Sequence, residues 1–536
     1  MQLSPSAHVD TFCRDNLPPV EQWPEFLFDL PDVQYPERLN CATELLDVVI
    51  DQYGADRPCL HAPGESTWTY GDLLARANQI ANHLTDTLAI VPGNRVLLRG
   101  PNNPWLVACW LGVLKTGAVV VTTMPLLRAS ELTAIDDAAK IALSLCDHRF
   151  IDDLNNAGLA APAVVYGGDD PTDLTALVAD APTTYDDVKT AADDVALLAF
   201  TSGTTGRPKA TMHFHRDVLA NADTFSKHVL RPLPDDVFTG TPPLAFTFGL
   251  GGIVVFPLRV GASTLLIEKA TPTELAGLID EFKATICFTA PTAYRAMLSN
   301  GDVTRLSSLR TGVSAGEHLP AATWEAFREA TGVALINGIG STEMLHIFIS
   351  ASGDDIRPGS TGRAVPGYAA TILDEQGEPA EPGTVGRLAV KGPTGCRYLA
   401  DERQRAYVQN GWNLTGDTFV QDDDGYFWYE ARSDDMIVSS GYNIAAPEVE
   451  EALLLHADVA ECAVVGVPDE ARGSLVKAYV VLREGIAGDA EKRLELQNFA
   501  KEQIAPYKYP RALEFIDALP RTQTGKLQRF RLRSAS

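Results

Sequence analysis

The sequence has no apolar run long enough to cross a membrane. Its longest, Trp105 to Leu114, stops at Lys115, well short of the ~20 residues that a hydrocarbon core requires, so no membrane partner is expected. The amino-terminal stretch MQLSPSAHVDTFCRD lacks the basic-then-apolar order of a secretory signal, and the cytoplasm is the expected location. Its 8 cysteines, Cys13, Cys41, Cys59, Cys109, Cys146, Cys287, Cys396 and Cys462, contain no C-x-x-C pair. Scattered in this way they suit free buried thiols in a reducing compartment better than a disulfide frame or a zinc site. Positive charge is also scarce. The 44 Lys and Arg residues against 70 Asp and Glu leave a net charge of −26, which repels a polyphosphate backbone and excludes nucleic acid as a partner. The exception is a short cationic cluster after Asp517, formed by Arg521, Lys526, Arg529, Arg531 and Arg533.

What is present is an ordinary globular composition, 45% apolar and 21% charged over 536 residues, enough for several domain-sized units at ~150 residues each. Apolar β-branched runs alternate with helical patterns, as in Arg95 to Leu98 before the Trp105 to Leu114 helix, which is the signature of α/β layers with mostly parallel sheets flanked by helices. A β-rich lobe is expected over about 360–433, where Asp424-Gly425 between aromatic runs predicts a hairpin turn. Beyond it the pattern predicts a small α+β unit. It has strands at Met436 to Ser440, Ala463 to Val467 and Lys477 to Leu482, and helices at Pro447 to Leu455 and Leu494 to Ile504. The expected domains are therefore 1–433 and 434–536. No internal repeat or low-complexity segment occurs.

The most informative segment is Thr201-Ser202-Gly203-Thr204-Thr205-Gly206-Arg207-Pro208-Lys209, which follows a strand expected over Val195 to Phe200. Glycines let backbone N–H groups approach phosphate oxygens, hydroxyls donate further bonds, and Lys209 adds charge. G-x-x-x-x-G-K-[ST] cannot be laid on it, and no G-x-G-x-x-G follows a strand elsewhere. Taken alone, the segment is also compatible with a polar surface loop.

TSGTTGRPK closely resembles the phosphate loop of the adenylate-forming superfamily of acyl-CoA synthetases, luciferases and peptide-synthetase adenylation domains. SAGE (Ser314 to Glu317), NGIGSTE (Asn337 to Glu343), NLTGD (Asn413 to Asp417), RSDDMIVSSGYNIAAPEVE (Arg432 to Glu450) and PRTQTGK (Pro520 to Lys526) follow in the family's order, so the resemblance covers essentially the whole chain. It implies an enzyme that joins a carboxylate to AMP, releases pyrophosphate, and passes the acyl group to the thiol of coenzyme A. The substrate carboxylate is ionised at pH 7 and is itself the nucleophile, so positioning and charge neutralisation are what the protein supplies.

By this resemblance, Thr201, Ser202, Gly203, Thr204, Thr205 and Lys209 hold the ATP phosphates. Glu343 holds Mg2+ and Thr342 donates to the α-phosphate. Gly316, Glu317, Asn337 and Gly338 form the adenine slot, and Asp417 with Arg432 takes the ribose. Lys526 places its ammonium on the carboxylate and α-phosphate. Asp434 is the hinge of a mobile carboxy-terminal lid, and Ser440 and Gly441 line the channel for the CoA arm. Local alternatives stand beside these roles: a helix cap for Ser341-Thr342-Glu343, a solvated turn for Asp417, a solvated charge for Lys526.

The acyl pocket is expected from Phe246, Thr247, Phe248 and Gly249 together with Ile339, Gly340 and His346, although core packing also explains the phenylalanines. GIGSTEMLHIF (Gly338 to Phe348) is very similar to the benzoate-CoA ligase version, in which the histidine faces an aromatic acid. No aspartate lies between Phe246 and Gly249, where amino-acid-activating relatives place one. DNLPPVEQWPEF is similar to the corresponding segment of 2-aminobenzoate ligases, so 2-aminobenzoate is the preferred substrate, with benzoate, salicylate or another substituted acid as alternatives. Two readings from other classes remain: a serine hydrolase using Ser314 in Gly312-Val313-Ser314-Ala315-Gly316, and an inactive adenylate-binding paralogue. His213 and His215 have no third ligand at metal-site spacing and are expected to be ordinary strand-end residues. The oligomeric state, monomer or homodimer, is left open.

Overall fold

Arg95–Arg99 (RVLLR) and Val119–Thr123 (VVVTT) are buried along almost their whole length, as parallel strands must be when helices cover both faces of their sheet. In the computed structural model, which describes residues 3–201, 208–374, 376–432, 436–439, 442–469, 473–504, 508–521 and 527–534, these strands lie at the centre of a six-stranded sheet. Its order is Ala163–Tyr166, Leu143–Asp147, Arg95–Arg99, Val119–Thr123, Val195–Thr201 and Lys209–Phe214. Only the last pairing is antiparallel. A nine-stranded sheet has a parallel centre containing Val237–Gly240, Ile286–Thr289, Thr311–Ser314 and Leu335–Gly340, with antiparallel pairs at its edges. Residues of both sheets, including Val96, Val120, Phe238 and Phe288, share one apolar core.

The Trp105 to Leu114 run is the body of helix Pro104–Lys115, started by Asn103, whose side chain accepts from Leu106 N. It packs on Arg95–Arg99 and Val119–Thr123 and against helix Tyr70–Asp86, which is why it is apolar on nearly every side. Lys115 is itself fully buried, and its ammonium is held by Asp47 at 2.6 Å and Asp187 at 3.0 Å. No helix among the described residues is long and apolar enough to cross a membrane.

Two local constructions position the site. Val195–Thr201 leads into residues 202–207 and the chain returns as Lys209–Phe214, with Thr201 opposite Lys209. The segment Arg397 to Leu399 then lies along this returning strand, through Met212 N to Arg397 O at 2.8 Å and Leu399 N to Ala210 O at 2.9 Å. The second is an antiparallel hairpin in which Leu335–Gly340 pairs with Ile347–Ser350. Its connection carries Ser341 to His346, so the family motif NGIGSTEMLHIF is one strand, one turn and one strand. Gly340 is required there, because a Cβ would fall 2.6 Å from the His346 carbonyl oxygen.

The β-rich lobe is antiparallel, with Ala369–Leu373, Val385–Lys391, Trp412–Gln421 and Phe427–Arg432 in succession and Val408–Gln409 on one edge. Asp424-Gly425 forms the predicted turn, with Asp422 accepting from the Asp424 and Tyr426 amides. Further on, Val459–Asp469 and Gly473–Leu482 pair antiparallel and Ala512–Phe515 adds in parallel. Ile437, Ile444, Val449, Val464, Val476 and Leu496 form a separate core there. Both strands of that hairpin outrun the predicted ranges. Helix Ala490–Gln503 starts four residues before the predicted Leu494, because Asp489 caps it by accepting from Lys492 N and its first turn has no apolar periodicity.

Candidate active site

Glu343 is buried in the hairpin turn. Its Oε1 lies 2.8 Å from Lys209 Nζ and accepts a 2.6 Å hydrogen bond from the Tyr398 hydroxyl, and Lys209 also contacts that hydroxyl. Burial alone raises a carboxyl pKa. Here the Lys209 ammonium and the Tyr398 hydroxyl outweigh burial and hold Glu343 below its ordinary value, so it is ionised. An ionised oxygen ligand of this kind fits Mg2+, which takes one or two carboxylates together with phosphate oxygens and waters. Thr342, its neighbour, is held through the backbone, its carbonyl accepting from His213 Nε2 at 2.8 Å.

His213 is fully buried, and burial pushes its pKa down to about 4. It lies within 3.9 Å of the Asp217 carboxylate, which forms a wholly buried ion pair with Arg397. The Arg397 guanidinium sits 3.8 Å over the Phe214 ring. His213 is therefore not an ordinary strand-end residue, since it ties Lys209–Phe214 to the Glu343 turn. His215 directly follows the strand's last residue, Phe214, and begins helix His215–Asn221, with Nδ1 3.2 Å from the Cys41 amide.

Among the nucleotide candidates, Thr201 ends its strand opposite Lys209. Asp417 is mostly buried in Trp412–Gln421, its amide donating to Thr415 Oγ1 at 3.1 Å, and by register it stands opposite Arg432. Gly316 has φ +90°, and Glu317 follows it. Asn337 and Gly338 lie in the neighbouring strand. The Asn337 side-chain NH2 donates to the Ser360 carbonyl at 3.4 Å, and the Asn337 backbone carbonyl accepts from Ser350 Oγ at 2.6 Å. Ser202, Gly203, Thr204, Thr205, Asp434, Ser440, Gly441 and Lys526 lie outside the described residues, as does the side chain of Arg432. Arg521 and Leu527, on either side of 522–526, form a β-bridge. Arg521 Nη1 reaches Glu317 Oε1 at 3.4 Å and Nη2 reaches Glu461 Oε2 at 2.6 Å. His318 stacks on Tyr429 with ring centroids 5.5 Å apart and hydrogen-bonds Glu451. The carboxy-terminal unit thus rests directly on the predicted adenine-slot segment.

The acyl candidates gather around His346. Phe246 precedes helix Thr247–Leu250, which contains Thr247, Phe248 and Gly249, and a π-helical turn, Gly251–Val255, follows it. The His346 ring is enclosed by Phe256 at 4.6 Å, Phe225 at 5.5 Å, Phe248 at 5.6 Å and Phe288 at 6.3 Å between centroids. Burial pushes its pKa down to about 3, the Phe248 backbone opposing. Neither ring nitrogen makes a hydrogen bond of good geometry among the described residues. Ile339 and Gly340 belong to the strand on the other side of the turn. Between Glu343 and His346, Leu345 has φ +70° and ψ −37°, a strained conformation for a side chain of its size.

Ser314 is fully buried, and its Oγ has no hydrogen-bond partner among the described residues. No helix follows it directly either, since the next begins at Ala321. With neither a base nor the strand-turn-helix elbow, the serine-hydrolase alternative loses its support. Sequence reasoning missed Tyr398, Tyr407, Phe225, Phe256 and Phe288, none of which falls within a motif.

Residues 46–398 match the family of AMP-binding enzymes, and residues 448–526 match the AMP-binding enzyme C-terminal domain. The chain is 35% identical to a benzoate–CoA ligase of Thauera aromatica, over 94% of this chain and 98% of that one. To a 3-hydroxybenzoate–CoA ligase of Aromatoleum sp. (strain CIB) it is 32% identical, over 92% and 96%. The crystal structure of the anthranilate CoA ligase AuaEII in complex with anthranoyl-AMP superposes with a TM-score of 0.89 at 34% identity, covering 94% of this chain and 99% of that one.

Proposed function

The chain belongs to the AMP-binding enzyme family, as an AMP-forming CoA ligase, and from that premise we propose that it activates benzoate-type acids, 2-aminobenzoate first among them. In the first half-reaction an oxygen of the substrate carboxylate bonds to the α-phosphorus of ATP. The bond from that phosphorus to its bridging oxygen breaks, and the electron pair leaves on pyrophosphate. In the second, the thiol sulfur of CoA takes the acyl group, losing its proton to solvent, and AMP departs.

The residues divide the work by charge. Glu343 would hold Mg2+, which when bound screens the phosphate oxygens. In the structure Lys209 neutralises Glu343, and phosphate is the other anion this ammonium can serve. Tyr398 fixes the Glu343 carboxylate, and His213 fixes the turn that carries it. Asp417 and Arg432 would take the ribose, Asn337 and Gly338 the adenine, and residues 202–205 the phosphates. Lys526 would place a point charge where negative charge grows in the transition state.

One observation carries the preference for an ortho-amino acid. His346 is a neutral imidazole buried among phenylalanines, with no hydrogen bond of good geometry at either nitrogen among the described residues and only the Phe248 backbone close enough to oppose the effect of burial, and a buried polar group left without a full partner costs about 1–3 kcal/mol. An arylamine N–H donates to such a lone pair, and the flanking rings stack on an aromatic acid. Relatives named for benzoate, 3-hydroxybenzoate and anthranilate support the same class. AMP release with Mg-ATP and CoA, measured across 2-aminobenzoate, benzoate, salicylate and a medium-chain fatty acid, tests it. The highest kcat/KM is expected for 2-aminobenzoate, and turnover of the fatty acid alone defeats the proposal.

A further inference from the structure

Asn102 and Asn103 follow strand Arg95–Arg99 and lead into helix Pro104–Lys115, and their side chains serve different partners. Asn103 caps the helix, accepting from Leu106 N at 2.9 Å. Asn102, 4% exposed, bonds outside its own sheet: its Nδ2 donates to the Pro242 carbonyl at 3.0 Å and its Oδ1 accepts from Leu244 N at 2.8 Å. These groups stand on either side of Pro243, so one amide side chain pairs with that backbone as a neighbouring strand would. Pro242 and Pro243 have no N–H, and Leu244 is therefore the first donor after Thr241 by which the segment can be held.

The Pro243 carbonyl accepts from Phe246 N at 3.0 Å, closing a turn, and Thr122 Oγ1 in the central strand donates to the Ala245 carbonyl at 3.1 Å. Helix Thr247–Leu250 rests on this turn, since a Cβ on Gly249 would fall 2.3 Å from the Pro243 carbonyl oxygen and 2.6 Å from that of Pro242. Phe248, beside it, is one of the rings around His346. Packing beneath the segment is incomplete. A void of about 10 Å3 lies between Leu244, Leu250 and Val254 on one side and Leu98, Leu106 and Trp110 on the other, so contact alone does not fix where the helix sits. We propose that Asn102 is a positioning residue of the acyl pocket. Acting through Pro242 and Leu244, it sets the distance of Phe246, Thr247 and Phe248 from His346, and with it the discrimination between ring-substituted acids. The proposal rests on the aromatic-acid reading above and adds the side chain that ties that pocket to the six-stranded sheet.

Three variants test it. Asn102→Leu removes both bonds, Asn102→Asp can still accept from Leu244 N but cannot donate to the Pro242 carbonyl, and Thr122→Val removes only the bond to Ala245. Leaving a buried donor and a buried acceptor unpaired amounts to roughly 10- to 100-fold in an equilibrium. In Asn102→Leu the KM for the aromatic acid is expected to rise by at least the lower figure, with the KM for Mg-ATP unchanged. The ratio of kcat/KM between 2-aminobenzoate and benzoate should fall towards one, and the two milder variants should shift the same way by less. Hydrogen exchange of the 244–250 amides, followed without substrate, reads the seating itself. It should quicken by roughly tenfold in Asn102→Leu, while exchange in Leu335–Gly340 stays as in the wild type. An unchanged selectivity ratio in all three variants, with kcat falling alike for every acid, overturns the proposal, and so does unchanged exchange over 244–250. Faster exchange there, together with no turnover of any aromatic acid by the wild type, would instead defeat the proposed function and leave the seating by Asn102 standing.

Discussion

Gly251→Ala separates packing around His346 from helix propensity, because the two predict opposite signs. Gly251 opens the π-helical turn Gly251–Val255, and an alanine in a helix is favoured over glycine by about 1 kcal/mol. A Cβ at Gly251, however, would lie 2.4 Å from His346 Cδ2 and 2.9 Å from Nε2. Ordinary contact begins about 1 Å further out. The imidazole cannot retreat towards Phe256 or Phe225, whose centroids are 4.6 and 5.5 Å away. Overpacking of this kind costs about 1–3 kcal/mol, and tenfold in affinity corresponds to about 1.4 kcal/mol. The variant is therefore expected to raise the KM for the aromatic acid by roughly tenfold, leave the KM for Mg-ATP unchanged, and lower the Tm. His346→Ala in the same chain removes the clashing atoms and should restore the Tm in a double-mutant cycle. A Gly251→Ala protein at least as stable as the wild type, with an unchanged KM for the acid, would refute the cage.

Other outcomes follow from the same coordinates. Tyr398→Phe removes the 2.6 Å bond to ionised Glu343, a charged hydrogen bond of about 1.5–3 kcal/mol, so the KM for Mg-ATP should rise by roughly 10- to 100-fold with the KM for the acid unaffected. Burial pushes the pKa values of His213, His215 and His346 down to about 4, 3 and 3, while the unfolded chain takes up each proton near 6.5. The unfolded state thus binds more protons below that pH, and stability, complete above it, falls by up to about 1.4 kcal/mol per pH unit per histidine as the pH drops towards 4. A Tm at pH 5 equal to that at pH 7.5 would contradict their burial. Lys526→Ala should abolish acyl-AMP formation yet spare thioester formation from synthetic acyl-AMP, and equal loss of both would remove Lys526 from its proposed role.

The α/β class was legible because parallel strands covered on both faces, such as Val119–Thr123, carry near-continuous apolar or β-branched runs, and the Asp424-Gly425 hairpin because its turn chemistry is local. The Glu343 turn was legible as a motif. Its partners were not: Tyr398 reaches Lys209 across 189 residues of sequence, through strand pairing that leaves no pattern in CRYLADERQRAY. Phe225, Phe256 and Phe288 fall in no motif, and only folding brings the π-helical segment Ala222–Leu230, helix Phe256–Arg259 and strand Ile286–Thr289 around one imidazole. His213 looked ordinary because its role lies in one hydrogen bond to a backbone carbonyl that folding delivers.

The central claim is a two-step ligase that makes an acyl-AMP before CoA enters. Quenched-flow measurement of pyrophosphate on mixing the enzyme with Mg-ATP and 2-aminobenzoate, in the absence of CoA, tests it most directly. The account predicts an acid-dependent burst equal to the enzyme concentration, and a CoA chase that converts the bound adenylate to thioester and AMP. Release of phosphate and ADP, or a burst that does not depend on the acid, would contradict it.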